Sequence, residues 1–150
     1  RYVHERLGIN GRMDTLQAAI LLAKLEIFDE ELTKRSQIAE RYSELLNAAQ
    51  SSDSFVLPQL KTHNISSWAQ YTIEVSNRSF IQKSLSDKSI PTAIHYPYPV
   101  YKQKALLETV NHCIVSERAS KRVLSLPMHP YLDPKHQAFI SSSLITALQS

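Results

Sequence analysis

Residues 8–25 read GINGRMDTLQAAILLAKL, and the organisation of the chain follows from this stretch. The first part, through Met13, is a loop. Gly8, Asn10 and Gly11 tolerate positive φ there, and no helical or strand period runs through residues 1–13. Asp14 then offers an N-cap with Gln17 three residues on, the pattern of a capping box. From Asp14 the helical pattern runs to about Ala49 without a proline or glycine. At 1.5 Å per residue, that predicts one helix of about 50 Å.

The two halves of this predicted helix differ. Ten of the fourteen residues from Thr15 to Phe28 are apolar and fall on every side, so this half is expected to be buried all round. Gln17 and Lys24 interrupt it, and it is too short for a bilayer. The half from Asp29 is amphipathic: Leu32, Ile38, Ala39, Tyr42, Leu45 and Leu46 oppose a charged face on which Glu31 and Arg35 form an i,i+4 pair. The remaining 100 residues are too few to surround the first half, whose expected partner is another domain or subunit.

Beyond the helix, residues 50–67 read as a connector with at most one edge strand, since Pro58 cannot donate to a ladder. Trp68–Val75 alternates, with Tyr71, Ile73 and Val75 on one face, and predicts a half-buried strand. Ser79–Asp87 is a short helix with Phe80, Ile81 and Leu85 inward; Thr92–Tyr96 is a second strand; Ser116–Leu124 is another helix. Asp133-Pro134 opens a last helix to about Gln149, with Phe139, Ile140, Leu144, Ile145 and Leu148 as its apolar stripe. The expected fold class is α+β, a long N-terminal helix followed by a small antiparallel-type sheet with helices on one face. Residues 1–50 form the loop and long helix, and 51–150 a small C-terminal α/β domain.

Composition narrows the function. The chain has 150 residues, 43% hydrophobic and 21% charged, with a net charge of +3. Residues 1–50 carry seven basic and eight acidic side chains and residues 51–150 ten and six, so no polybasic stripe points to nucleic acid. Only two glycines occur, too few for a Rossmann fingerprint or a P-loop. A single Cys113 excludes an intrachain disulfide, and no signal peptide or membrane span is read, so a cytoplasmic setting is expected. Arg1 is not an initiator methionine, and the chain is expected to be a segment of a longer protein.

Three constellations could carry chemistry. Gly8-x-Asn10-x-Arg12 combines backbone access, an amide and a planar guanidinium ahead of a helix N-terminus, which suits an anion. The competing reading is a loop whose Arg12 pairs with Asp14 or Glu5. His95-Tyr96-Pro97 leaves a strand end before a proline-rich loop, a place for ligand contacts; equally it fits an aromatic cluster with Tyr98 and Tyr101 over the core. Ser125-Leu126-Pro127-Met128-His129 reads as a helix exit with a structural His129. No metal site is expected. His112 and Cys113 are adjacent and diverge, and Cys113 reads as a buried structural thiol.

Taken together, GINGRMDTLQAAILLAKL at 8–25, ERYSELL at 40–46, the Trp68–Val75 strand, IPTAIHYP at 90–97 and SLPMHP at 125–130 resemble the DegT/DnrJ/EryC1/StrS sugar aminotransferases. The resemblance covers essentially the whole chain, in order, and is closest to members acting on UDP-linked 3-keto amino sugars. It implies the C-terminal domain of aminotransferase fold type I and a pyridoxal-phosphate enzyme. The complete enzyme would aminate a UDP- or dTDP-keto-sugar, with glutamate as donor, for cell-surface polysaccharide or related glycan biosynthesis. By the same resemblance, Asn10 and Arg12 approach the cofactor phosphate in the second subunit of a homodimer, and His95 and Tyr96 contact the substrate.

The resemblance also places the Schiff-base lysine upstream of the Gly-x-Asn-x-Arg motif. Nine residues precede Asn10, eleven precede Arg12, and the first lysine is Lys24. The chain is therefore expected to be the C-terminal segment of such an enzyme, inactive alone and with no catalytic residue of its own. The alternative is a stand-alone binding or oligomerisation module derived from the same fold.

Overall fold

Asp14 starts the first helix as its sequence predicts: its carboxylate accepts from the Gln17 backbone N–H at 2.8 Å, and the Gln17 side chain accepts from the Asp14 N–H at 3.4 Å. The computed structural model describes residues 3, 5–6, 8–9, 11–48, 55–106 and 113–150. Asn10, Ala49, the polar stretch at 50–54 and His112 lie outside them. The predicted single long helix is two, α1 (Thr15–Leu25) and α2 (Phe28–Asn47). No proline or glycine marks the break. Ile27 sits at φ −112° and ψ 4°, and its N–H bonds to the Lys24 carbonyl at 3.3 Å, a tightened turn that ends the α-helical ladder.

Among the described residues the sheet has three strands in the order β1 (Phe55–Val56), β2 (Tyr71–Val75), β3 (Val123–Leu126), all antiparallel. β1 is the expected edge strand and stops before Pro58. The register sets Tyr71 opposite Leu126 and Ile73 opposite Leu124, so these side chains share one face with Val75 and Phe55. That face is the core. It packs with Ile38, Ala39, Tyr42 and Leu46 of α2, Ile81 and Leu85 of α3 (Arg78–Asp87), and Ile140, Leu144 and Ala147 of α5 (Pro134–Leu148). The core thus draws on residues from both sides of position 50. The opposite face is polar: the Thr72 and Ser125 hydroxyls lie 2.8 Å apart, and Glu74 pairs with Arg122 at 3.4 Å.

β3 corrects the expectation of helix to Leu124. The helix, α4, spans Ile114–Arg122, and Val123 turns directly to extended backbone at φ −64° and ψ 135°. Arg78 ends it by donating to the Ser120 carbonyl at 2.5 Å and the Val123 carbonyl at 3.4 Å, where the helix leaves its last carbonyls unpaired. The predicted strand at Thr92–Tyr96 shrinks to one bridge. Ala93 exchanges both backbone hydrogen bonds with Ser125, at 3.1 and 2.8 Å. Pro91 and Pro97 bracket the segment and keep the ladder from extending.

Other expectations shift by about one residue along a helix. Phe80 and Phe139 are exposed, because the buried stripe of α3 runs through Ile81 and Leu85 and that of α5 through Gln137, Ile140, Ser141 and Leu144. The Gln137 amide satisfies itself on the Ile38 carbonyl at 2.6 Å. Glu31 and Arg35 each turn to other partners: Glu31 accepts from the Tyr131 hydroxyl at 3.1 Å, and Arg35 donates to the Trp68 carbonyl at 3.3 Å. The helix-supporting pair one residue earlier is Glu30 with Lys34. Neither glycine takes positive φ; among the described residues the left-handed positions are Trp68 and Ser89. Among the described residues no helix is long and apolar enough to cross a membrane.

The expected all-round burial of the first helix is not met among the described residues, none of which covers it. α1 contains no buried residue, and Leu16, Ile20, Leu22 and Leu25 are 78%, 59%, 67% and 62% exposed.

Candidate functional site

Four residues were singled out from the sequence. Arg12 is fully described and exposed, two residues before the Asp14 cap. Both carboxylates that could have held it are engaged elsewhere. Glu5 pairs with Lys104 at 3.0 Å, and the Asp14 carboxylate caps Gln17. Among the described residues the Arg12 guanidinium makes no ion pair. A planar fork held in the open next to a glycine loop is chemically suited to a phosphate. The loop also leaves room: a Cβ at Gly8 would meet nothing within 4 Å, and one at Gly11 would meet only the Ile9 side chain at 3.5 Å. Packing among the described residues therefore does not demand glycine at position 8. The α1 N-terminus, by contrast, already carries the Asp14 carboxylate, which disfavours a further anion at the helix end. Asn10, its expected companion, lies outside the described residues.

His95 and Tyr96 follow the Ala93 bridge, which fixes where they leave the sheet. Ile94 packs against the core, His95 is half-buried, and Tyr96 is 62% exposed. Their rings meet edge to face, centroids 5.5 Å apart at 75°, and the peptide joining them is cis. Tyr98 is also more than half exposed, so these rings do not roof the core. The ion pair Lys104–Glu5 joins the segment after His95-Tyr96 to the loop that carries Arg12. It is exposed on both sides and worth about 0–1 kcal/mol.

The SLPMHP run is tied into the fold. Ser125 lies in β3, the Pro127 carbonyl accepts from Tyr42, and His129 Nδ1 accepts the Tyr131 N–H at 3.2 Å. Cys113 corrects the expectation of a buried thiol. It is exposed as the N-cap residue of α4, with Ile114 and Val115 beside it also exposed. Its Sγ accepts from the Ser116 hydroxyl at 3.2 Å, which with the Ser116 backbone N–H holds the thiol below its ordinary range. A cavity of about 540 Å³ lies between α2 and the loop before β2, lined by Ala39, Ser43, Pro58, Leu60 and Trp68 among others, and Arg12, His95 and Tyr96 are not among its lining residues. Among the described residues no cluster of His, Cys, Asp or Glu could hold a metal.

Comparison with known proteins places this geometry. The UDP-2-acetamido-2-deoxy-3-oxo-D-glucuronate aminotransferase of Pseudomonas aeruginosa is 44% identical over 144 residues, which is 96% of this chain and 39% of that protein. The chain thus spans well under half the length of that relative. A crystal structure of a DegT DnrJ EryC1 StrS aminotransferase from Brucella abortus superposes with a TM-score of 0.80 at 41% identity, covering 96% of this chain and 38% of that one. NtdA of Bacillus subtilis, solved with its cofactor PMP bound, gives a TM-score of 0.80 at 27% identity over 95% of this chain and 34% of its own. The family model for DegT/DnrJ/EryC1/StrS aminotransferases matches residues 1–145, and the chain belongs to that family.

Proposed function

We propose that this chain is the C-terminal segment of a pyridoxal-phosphate-dependent transaminase that carries an amino group from glutamate to a UDP- or dTDP-linked keto sugar in the cytoplasm. The observation that carries the reading is Arg12, an exposed guanidinium whose two neighbouring carboxylates are both committed elsewhere. Arg12 fits one donor to the cofactor phosphate, and Asn10, two residues before it in the sequence, is proposed as the second. Pyridoxal phosphate, when bound, supplies the electron sink for amino-group transfer. The residues of this chain bind and orient. Arg12 neutralises the phosphate, and the outward rings of His95 and Tyr96 offer one edge of a site for the sugar nucleotide. The bare α1 supports a partner surface, either the remaining length of the family or the second subunit of a homodimer.

The test supplies the complete aminotransferase carrying this segment with ¹⁵N-glutamate, pyridoxal phosphate and a UDP-linked 3-keto amino sugar. The expected result is ¹⁵N in the sugar nucleotide and 2-oxoglutarate in equal amount. Cofactor binding without any nitrogen transfer to keto-sugar nucleotides would reject the substrate class.

A further inference from the structure

The stretch holding His95 and Tyr96 is fastened on either side of that pair. At its near end Ala93 exchanges two backbone hydrogen bonds with Ser125 of β3. At its far end two short 3₁₀ turns, Val100–Lys102 and Lys104–Leu106, follow the Pro97-Tyr98-Pro99 run. There the Tyr101 hydroxyl donates to Glu117 Oε1 of α4 and lies 3.5 Å from the Cys113 carbonyl, and Lys102 Nζ sits 3.2 Å from the same carboxylate oxygen. The Lys102 ammonium also stands 6.0 Å from the Tyr101 ring centroid.

Between these fastenings Ile94 packs against the core. Tyr96, Tyr98 and Val100 are all more than half exposed, and Pro99 is the buried residue among them. The two prolines fix φ at positions 97 and 99, so a restraint at Tyr101 is transmitted back toward Tyr96 rather than absorbed on the way. Glu117 is itself well seated. Its N–H bonds to the Cys113 carbonyl at 3.1 Å, its carbonyl accepts from the Ser120 hydroxyl at 2.9 Å, and its side chain is 27% exposed. A half-buried carboxylate that takes a phenol and an ammonium together makes charge-assisted bonds, stronger than an exposed rim pair.

We propose that Glu117 is a positioning residue for the His95–Tyr96 pair, clasping Tyr101 and Lys102 to hold that loop in its substrate-binding pose. This rests on the reading of His95 and Tyr96 as sugar-nucleotide contacts. Without the clasp the loop loses its hold on α4 and the substrate must supply that part of the ordering as it binds, which weakens binding and leaves the chemical step intact.

The experiment uses the complete, cofactor-loaded aminotransferase with Glu117→Ala, Glu117→Gln and Tyr101→Phe. Glu117→Ala is expected to raise KM for the keto-sugar nucleotide about tenfold with kcat and cofactor absorbance little changed. Glu117→Gln keeps an acceptor for Tyr101 and should recover most of the loss. Tyr101→Phe, which leaves the charge pair and the packing of the ring, should fall between and serves where Glu117→Ala folds poorly. A KM unmoved in all three variants, or a fall in kcat alone that follows thermal stability, would overturn the clasp while leaving the transaminase reading in place. A wild-type enzyme that transfers no amino group to keto-sugar nucleotides would overturn both.

Discussion

The Tyr42 hydroxyl donates to the Pro127 carbonyl at 2.9 Å, joining the middle of α2 to the chain as it leaves β3. Tyr42 is fully buried and its ring stacks on that of Tyr71, centroids 4.9 Å apart at 29°. Burial raises the ionisation of both phenols above the ordinary value. Below about pH 10 the folded and unfolded chains both carry neutral phenols, and the burial contributes in full. As pH rises past that value the unfolded chain ionises while the folded chain holds its protons, so stability falls. Tyr42→Phe should cost about 1–3 kcal/mol near neutrality, because it leaves the carbonyl without its donor. The gap to wild type should then narrow above about pH 10, since the variant has one titrating phenol fewer. Urea unfolding at a neutral and an alkaline pH measures both, and a gap that stays constant or widens contradicts the assignment.

Ser89 closes α3 in the left-handed region, at φ 59°. The Ile90 N–H bonds to the Leu85 carbonyl at 2.9 Å and the Ser89 N–H to the Ser86 carbonyl at 2.8 Å, and Leu85 and Ile90 are both buried. This is a Schellman closure with serine where glycine is usual. Ser89→Gly should therefore raise stability by up to about 1 kcal/mol, a gain of about 2–4 °C in Tm. A lower Tm in calorimetry would mean that the serine side chain contributes more than its strain costs.

α1 should drive association of the isolated chain. Its leucines and isoleucines are each worth about 1.5–3 kcal/mol if buried, and none is buried here. Sedimentation at micromolar concentration should show oligomers that dissociate in Leu22→Glu, and the wild-type Tm should rise with protein concentration while that of the variant does not, since Leu22 takes no part in the core. A wild-type monomer would show that α1 needs no partner.

What could be read in advance was local. The capping box at Asp14 and Gln17, the inward face Tyr71, Ile73 and Val75, and Pro134 in the first turn of α5 each follow from spacings of two to four residues, and all are present. The strand β3 was not legible, because Val123 and Leu124 extend the apolar stripe of α4 with no breaker between; what ends the helix is Arg78, more than forty residues earlier in the chain. The break at Ile27 likewise has no proline or glycine to announce it. In the site, the residue types of Arg12, His95 and Tyr96 were readable. That Glu5 and Asp14 would be occupied, and that Glu117 would reach Tyr101, depend on where the fold sets distant segments.

The role assigned to Arg12 is tested most directly by cofactor retention in the complete aminotransferase, followed by dialysis and absorbance. Arg12→Ala should weaken pyridoxal-phosphate binding by roughly 2–5 kcal/mol, the loss expected when one partner of a desolvated charge pair is removed. Arg12→Lys should recover part of it, keeping the charge without the fork. An unchanged cofactor affinity in Arg12→Ala, with reduced stability alone, would contradict the account and leave Arg12 a residue that holds its own loop.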